Sequence, residues 1–279
     1  MGVNGVHSAQ PTTQSMPPPQ LDQRQEERMN RLSALATRYE IRADFIARLR
    51  VLEDFDIVAL CDDSGSMATG CQPLPGMPVG PFAPRPTRWS ELRHTMSIVV
   101  DLATTLSSSG VDCFFLNRPP VMGVRSAMDI QAAFDHAPPQ GYTPLTRVVS
   151  GILAAKGRPG AERKLLLLIA TDGQPTDDRG NVDIASFISV LKGKASHVFV
   201  QIMACTDDDD SIAYLERVDK NVPRVDVCDD YITEKREILN VQGHGFHFSF
   251  GDYVVKALLG PVDSYFDGLD EPKKVCCLC

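Results

Sequence analysis

The sequence predicts an α/β fold with a doubly wound, mostly parallel central sheet and helices on both faces. Two observations support this prediction. Residues 57–61 and 165–170 are apolar throughout, as in strands buried on both sides. Such runs alternate with stretches whose apolar residues recur at helical spacing, and this alternation is typical of parallel sheets covered by helices.

The remaining elements follow from the same two periods. Strands are predicted at residues 111–116, 197–203 and 224–227, with a short edge strand at 121–124. One helix or two are predicted at 21–52, and further helices at 90–106, 128–134, 148–153, 183–192, 211–218, 231–239 and 252–259. In the first of these, an apolar stripe indicates packing against the main domain: Ile41, Phe45, Ile46, Leu49 and Leu52.

Composition divides the chain into four segments. Residues 1–20 are rich in Gln, Pro, Ser and Thr and are predicted to be a disordered tail. A helical segment at 21–53 precedes the main domain at 54–260, and residues 261–279 form a second tail. Within the domain, residues 70–87 are rich in proline and glycine, which predicts a long loop that serves as a lid, an interaction loop or a mobile insertion.

A polar motif follows the first buried strand. Asp62, Ser64 and Ser66 come directly after residues 57–61, at the strand end where open parallel sheets bind ligands. Hydroxyl and carboxylate oxygens suit a hard cation such as Mg²⁺, which prefers octahedral oxygen ligation. With so few anionic ligands, the ion would accept an acidic group from outside. Taken alone, the motif also fits a capped turn before a helix.

Two later stretches complete a pattern. Thr143 lies in the Gly-Tyr-Thr-Pro loop that precedes an apolar helical stripe, and Asp172 follows the buried run at 165–170. Together with Asp62, Ser64 and Ser66, these residues resemble the metal-ion-dependent adhesion site of the von Willebrand factor type A family. No position of that pattern is substituted, and the resemblance covers residues 54–260.

The resemblance implies a Rossmann-like fold with one antiparallel edge strand. It also implies a non-enzymatic protein-binding module in which Ser64, Ser66 and Thr143 bind Mg²⁺ or Mn²⁺ directly. Asp62 and Asp172 would bind the ion or its waters, and a partner protein would supply a carboxylate. In the family, ligand binding is often coupled to movement of the site loops and a distal helix.

Two alternatives stay open at this point. The first is a Mg²⁺-dependent hydrolase or phosphotransferase with Asp63 as its base, although the chain has no phosphate-binding loop and no His beside the motif. The second is a passive scaffold with a vestigial metal site. Mg²⁺-dependent turnover would favour the first, and partner capture that survives chelation would favour the second.

Charge and cysteine usage bear on partners and compartment. With 28 Lys and Arg against 36 Asp and Glu, the net charge of −8 argues against nucleic-acid binding, which needs a basic surface. Residues 1–20 lack the apolar segment of a secretory signal. Cys61, Cys113 and Cys205 lie in or beside apolar runs, where reduced cysteines are common. We therefore expect a cytoplasmic protein with reduced thiols.

The last residues offer a lipidation hypothesis. Cys276 to Cys279 has the length of a prenylation box with an atypical last residue, and Cys277 and Cys279 resemble the doubly prenylated ending of small GTPases. Lys273 and Lys274 precede them, and two lipid chains, or one plus basic residues, give stable membrane attachment. Peripheral membrane attachment through these cysteines and an unmodified reactive tail are the two alternatives.

Overall fold

A six-stranded sheet forms the centre of the molecule. The computed structural model describes residues 23–75, 77, 80, 82–107 and 109–271. The strands are β1 (Phe55–Cys61), β2 (Val111–Phe115), β3 (Val121–Val124), β4 (Lys164–Thr171), β5 (Val198–Ala204) and β6 (Val225–Cys228). Their order is β3-β2-β1-β4-β5-β6, and every neighbouring pair is parallel except β2 with β3. The predicted fold class, with its antiparallel edge strand, is confirmed.

Helices cover both faces of this sheet. They are α1 (Gln23–Arg38), α2 (Ala43–Arg48), α3 (Arg88–Leu106), α4 (Ala127–Asp135), α5 (Leu145–Lys156), α6 (Ile184–Lys192), α7 (Asp209–Ile212), α8 (Leu215–Asn221), α9 (Tyr231–Gln242), α10 (Phe250–Leu259) and α11 (Ser264–Asp267). Strand β1 is buried on both sides: Ile57 packs in the core with α3 and α10, and Val58 packs in the core with α5, α6 and α8. None of the helices in the described part of the chain has the length and apolar content of a membrane span.

The N-terminal helical segment packs on the domain as its apolar stripe predicts. Phe45, Leu49 and Leu52 are fully buried in the core that contains α3 and α10. The predicted helix is two helices followed by a 3₁₀ turn at Leu49–Asp54. The break between α1 and α2 contains Glu40, whose backbone adopts a positive φ of 55° that no α-helix accommodates.

The proline- and glycine-rich stretch is closed at its base. An isolated antiparallel bridge pairs Gly70 with Thr87, and the Arg88 amide donates to the Thr69 carbonyl at 3.0 Å. Leu74 is buried, whereas Phe82 is 99% exposed. Both ends of the stretch are therefore fixed, and the start of α3 is held against the loop that follows β1.

Some elements differ from the sequence prediction. The helix predicted at 211–218 is two short helices, α7 and α8, with the buried Tyr214 between them. The 3₁₀ turn at Gly65–Ala68 and helix α11 were not predicted, because elements of four residues are too short to show a period. The predicted tail at 1–20 and the cysteines at 276, 277 and 279 lie outside the described residues.

Candidate metal centre

The strand register brings two polar loops together at one edge of the sheet. Cys61, the last residue of β1, pairs with Ala170 of β4, so the loops after the two strands leave side by side. The Asp62 amide extends this pairing by donating to the Ala170 carbonyl at 2.9 Å. Asp62 and Asp172 therefore emerge on adjacent strands, as the motif after each apolar run predicts.

Three predicted residues form a continuous chain of oxygens. Ser66 Oγ lies 2.7 Å from Asp172 Oδ1 and 3.0 Å from Ser64 Oγ. The short 3₁₀ turn at Gly65–Ala68 folds Ser66 back beside Ser64. Because Ser66 gives its only hydroxyl proton to Asp172, Ser64 is the donor between the two hydroxyls. Each serine keeps oxygen lone pairs that can bind a cation.

Asp62 lies beneath these hydroxyls and is fully buried. Its Oδ1 accepts the Ser64 amide at 2.8 Å, and its Oδ2 accepts the Thr171 hydroxyl at 2.6 Å. Burial raises the pKa of the Asp62 carboxyl to about 7, although the hydrogen bonds from Ser64 and Thr171 oppose this shift. With both oxygens in hydrogen bonds, Asp62 is placed to orient the Ser64 loop and any water bound there.

The Thr143 loop is attached to the same edge by its backbone. Gly141 accepts a hydrogen bond from the Gly65 amide at 3.2 Å, and the Gln140 amide donates to the Asp63 carbonyl at 2.7 Å. The Thr143 amide donates to Thr176 Oγ1 at 3.1 Å, and Thr143 itself is buried. The Thr143 loop thus bridges the loop after β1 and the loop after β4.

Glycine is required at position 141 of this loop. Its φ is +101°, and a Cβ there would lie 2.6 Å from Asn117 Oδ1. Asn117 Nδ2 in turn donates to the Tyr142 carbonyl at 2.9 Å. The tight approach of Asn117 therefore helps to fix the loop that carries Thr143.

The donor set fits a small hard cation. Adjacent ligands in an octahedral Mg²⁺ shell, each about 2.1 Å from the ion, lie about 3.0 Å apart. The two serine oxygens are 3.0 Å apart. Among the described residues, no three His, Cys, Asp or Glu side chains converge on a metal-binding position. A metal at this edge would therefore depend on serine and threonine hydroxyls, with two carboxylates.

An arginine that the sequence motif does not contain lies behind Asp172. Arg88 Nη1 is 2.9 Å from Asp172 Oδ2, and Arg88 Nη2 donates to Thr206 Oγ1 at 2.6 Å. The Arg88 side chain is 15% exposed and that of Asp172 is fully buried. Asp172 consequently directs one oxygen at Ser66 and the other at a fixed guanidinium group.

A second buried ion pair lies at the same edge. Arg118 Nε is 2.7 Å from Asp63 Oδ2, and the Asn117 amide donates to Asp63 Oδ1 at 2.8 Å. Both oxygens of Asp63 are therefore in hydrogen bonds, and the residue is 1% exposed. This geometry holds Asp63 as a structural group that ties the end of β2 to the loop after β1.

A cleft of about 420 Å³ adjoins the centre on the far side of Arg88. Its polar lining includes Glu91, Thr206, Asp207, Asp230 and Arg236. Burial, and secondarily the nearby Asp230, raise the pKa of Glu91 to about 7, while the Cys71 side chain and Arg88 oppose the shift. The cleft thus presents a mixture of charges close to the candidate metal centre.

Two exposed apolar side chains lie on the loops that carry Thr143 and Thr176. Tyr142, next to Thr143, is 57% exposed, and Val182 is 58% exposed. The Tyr142 ring packs over Gly180, where an added Cβ would lie 2.7 Å from the ring. Tyr142 is therefore an aromatic group held in place at the rim.

The structure brings the five predicted residues to one edge of the sheet, but sequence reasoning missed their partners there. The structure joins Ser64, Ser66, Asp62 and Asp172 through direct hydrogen bonds, and it brings Thr143 alongside through backbone contacts. Thr171 and Thr176 belong to stretches that the motif already marked. Arg88 follows the proline- and glycine-rich stretch, and nothing in the local sequence indicates its position at the centre.

In comparisons with known proteins, the chain matches no protein-family profile and no curated protein sequence. A comparison of folds finds a likeness to the pilus adhesin SpaC of Lactobacillus rhamnosus GG, with a TM-score of 0.40 and 15% sequence identity. The likeness covers 73% of this chain and 30% of the adhesin, so the chain spans less than a third of that protein's length. A likeness of this size identifies neither a ligand nor a partner.

Proposed function

We propose that this chain is a divalent-cation-dependent protein-binding module of the von Willebrand factor type A kind. Mg²⁺, or Mn²⁺, is held by the hydroxyls of Ser64, Ser66 and Thr143, with Asp62 and Asp172 binding the ion or its waters. A carboxylate from a partner protein completes the shell. The observation that carries the proposal is the oxygen chain in which Ser66 contacts both Ser64 and Asp172.

The surroundings of the centre suit a protein ligand. The oxygen cluster opens at the carboxyl ends of parallel strands, where open α/β sheets bind ligands. Ser66 is exposed, so a group from outside can approach it. The exposed Tyr142 beside Thr143 offers an aromatic contact, and aromatic residues are enriched at protein interfaces.

The enzyme alternative has less support from the same geometry. Hydrolysis or phosphoryl transfer would need a base, and Asp63 is the candidate nearest the motif. Its two oxygens are taken by Arg118 and Asn117, and it is 1% exposed. A base must reach the proton that it removes, and Asp63 is not placed to do so.

The experiment that tests the proposal is a calorimetric Mg²⁺ titration of the wild type, Asp172→Asn and Asp178→Asn. Asp178 is an exposed aspartate in the loop after β4 and pairs only with Arg147 in the described structure, so it is the matched control. We expect saturable binding by the wild type and Asp178→Asn, and none by Asp172→Asn. Absence of binding by the wild type at millimolar Mg²⁺, both in chloride and with acetate present as a carboxylate, would reject the metal site as proposed.

A capture experiment then separates the module from a scaffold. Proteins retained by the immobilised chain in Mg²⁺ should be released by a chelator and should not be retained by Asp172→Asn. Retention that is unchanged by chelation would favour the scaffold alternative, with recognition by the loops or the tails. We also propose a cytoplasmic location and lipidation at Cys276, Cys277 and Cys279. Fractionation of the native cells tests the location, and mass spectrometry of the protein from those cells tests the lipidation.

A further inference from the structure

In the proposed loaded state, the two oxygens of Asp172 face two positive charges, the cation on one side and Arg88 on the other. Oδ1 contacts Ser66, in the oxygen cluster, while Oδ2 lies 2.9 Å from Arg88. Arg88 is held from its other side by Thr206, and little of it is exposed. The guanidinium group is therefore a fixed positive charge in direct contact with one of the two carboxylates that would face the ion.

A charge count shows what this contact does to a bound cation. Asp62 and Asp172 together carry two negative charges when ionised, which equals the charge of one Mg²⁺. Arg88 adds a positive charge that is already paired with Asp172. The ion and Arg88 thus share one carboxylate, and the ion, Arg88 and the two carboxylates together keep an excess of one positive charge. Because the side chains of Arg88 and Asp172 are mostly buried, water screens the repulsion between Arg88 and the ion only in part, and this excess weakens cation binding.

The second ion pair at this edge does not correct the balance. Asp63 is neutralised by Arg118 at 2.7 Å, and its hydrogen bonds go to Arg118 and Asn117, with none to the serine cluster in the described residues. The charges of Asp63 and Arg118 therefore cancel within this pair. Only the Arg88 pair involves a carboxylate of the proposed metal set.

We propose that Arg88 makes cation binding depend on an anionic ligand from outside the chain. Mg²⁺ alone is held weakly because Arg88 competes for Asp172, and an ionised carboxylate on the ion supplies the missing negative charge. The inference rests on the proposed metal site. It adds to that site a role for Arg88, as the residue that couples the affinity for the ion to the negative charge of the partner's carboxylate.

The test compares two arginines in matched settings. Mg²⁺ affinity is measured by calorimetry in chloride buffer for the wild type, Arg88→Gln, Arg88→Lys and Arg118→Gln. We expect Arg88→Gln to bind Mg²⁺ about tenfold more tightly or better, since one positive charge is removed beside the ion. Arg88→Lys keeps the charge and should stay near the wild type. Arg118→Gln also removes a positive charge, but from a pair outside the metal set, so its gain in Mg²⁺ affinity should be smaller than that of Arg88→Gln.

Acetate serves as the carboxylate probe. Replacing chloride by acetate should strengthen Mg²⁺ binding by the wild type and Arg118→Gln more than binding by Arg88→Gln. By linkage, the same factor describes how Mg²⁺ strengthens acetate binding. An equal acetate effect in the wild type and Arg88→Gln would overturn the proposal.

Thermal unfolding gives a readout that separates this role from a structural one. Arg88→Gln and Arg118→Gln each leave a buried carboxylate unpaired, so both should lower Tm without metal. Mg²⁺ should raise the Tm of Arg88→Gln by more than that of Arg118→Gln, because the carboxylate left unpaired in Arg88→Gln, Asp172, faces the ion and Asp63 does not. If Arg88→Gln does not fold even with Mg²⁺, Arg88→Met, which keeps an apolar stem, replaces it.

The titrations distinguish a failure of the proposed metal site from a failure of the role of Arg88. No Mg²⁺ binding by any variant would reject the metal site, and this inference with it. Binding by the wild type that is unchanged or weakened in Arg88→Gln would reject only the role of Arg88. Binding by Arg88→Gln without detectable binding by the wild type would support the role in its strongest form.

Discussion

Ser66 donates its hydroxyl proton to Asp172 Oδ1 across 2.7 Å, joining the loop after β1 to the loop after β4. The contact is side chain to side chain between residues that lie 106 positions apart in the chain. Ser66 accepts the Ser64 hydroxyl with one lone pair of its oxygen, and its second lone pair is available to a cation.

Removal of this hydroxyl is expected to weaken metal binding without harming the fold. Ser66→Ala should lower Mg²⁺ affinity by about 10-fold to 100-fold, in the range of losses that follow removal of groups around a metal. Because Ser66 is exposed, water can replace its hydroxyl as the donor to Asp172, and Tm should change little. Ser150→Ala is the control, since Ser150 is an exposed serine that donates to a helix carbonyl on α5. Equal Mg²⁺ affinity in the two variants would contradict the assignment of Ser66.

The Thr143 loop depends on Gly141, and Gly160 offers a control glycine with a similar backbone conformation. Gly141 and Gly160 both have positive φ, at +101° and +85°, but a Cβ at Gly160 meets nothing within 4 Å. In both Ala variants, backbone strain should lower the free energy of unfolding by about 1 kcal/mol. Gly141→Ala should lower it further and should bind Mg²⁺ more weakly, because its Cβ also collides with Asn117. Urea unfolding and calorimetry measure the two effects, and identical behaviour of both variants would refute the steric argument.

Glu91 is expected to make the protein less stable as pH rises. Its folded pKa is raised to about 7 from the usual 4.5, mainly by burial. Below about pH 4 the residue is neutral in both states and has no effect. Between about pH 4.5 and 7 it ionises first in the unfolded chain, so the free energy of unfolding falls by an amount on the order of 3 kcal/mol.

Glu91→Gln should therefore raise the free energy of unfolding at pH 8 and leave it unchanged near pH 4. Urea titrations at both pH values measure this difference. Glu216→Gln is the control, because Glu216 is exposed and pairs only with the neighbouring Lys220 in the described structure. A stabilisation by Glu91→Gln that is the same at both pH values would show that packing, and not ionisation, is responsible.

The core contains a charged group, and its removal should lower the free energy of unfolding strongly. Lys256 on α10 is 1% exposed and lies 3.0 Å from Glu234 and 3.5 Å from Asp270. Lys256→Met leaves a buried carboxylate without its cation and should cost about 3–5 kcal/mol. Lys220→Met, which removes an exposed lysine paired with Glu216, should cost less than about 0.5 kcal/mol. Comparable losses in urea unfolding would contradict the structural role of Lys256.

How far the sequence predicts this molecule depends on how local each signal is. The strands β1 and β4 are apolar runs, and the polar residues after them fall at one sheet edge because parallel strands end together. Asp62, Ser64, Ser66, Thr143 and Asp172 are therefore predictable as a group. Their chemistry is also local, since oxygen-bearing side chains are what a hard cation requires.

The rest depends on contacts between distant segments. Arg88 contacts Asp172 because the Gly70–Thr87 bridge and the packing of α3 in the core hold the start of α3 beside the site. Lys256 and Glu234 lie on helices α10 and α9, where charged residues ordinarily indicate a solvated face. No spacing rule in one sequence reveals a pairing of this kind, because it is decided by how the helices pack.

Because the Gly70–Thr87 bridge closes its base, the intervening stretch should tolerate insertions. Its two ends are pinned to each other by backbone hydrogen bonds, and its described tip residue Phe82 is fully exposed to solvent. Lengthening such a stretch by half raises its closure entropy cost by only about 0.4 kcal/mol. Foreign sequence inserted beside Phe82 would therefore be exposed to solvent while the bridge keeps the start of α3, and Arg88 with it, in place.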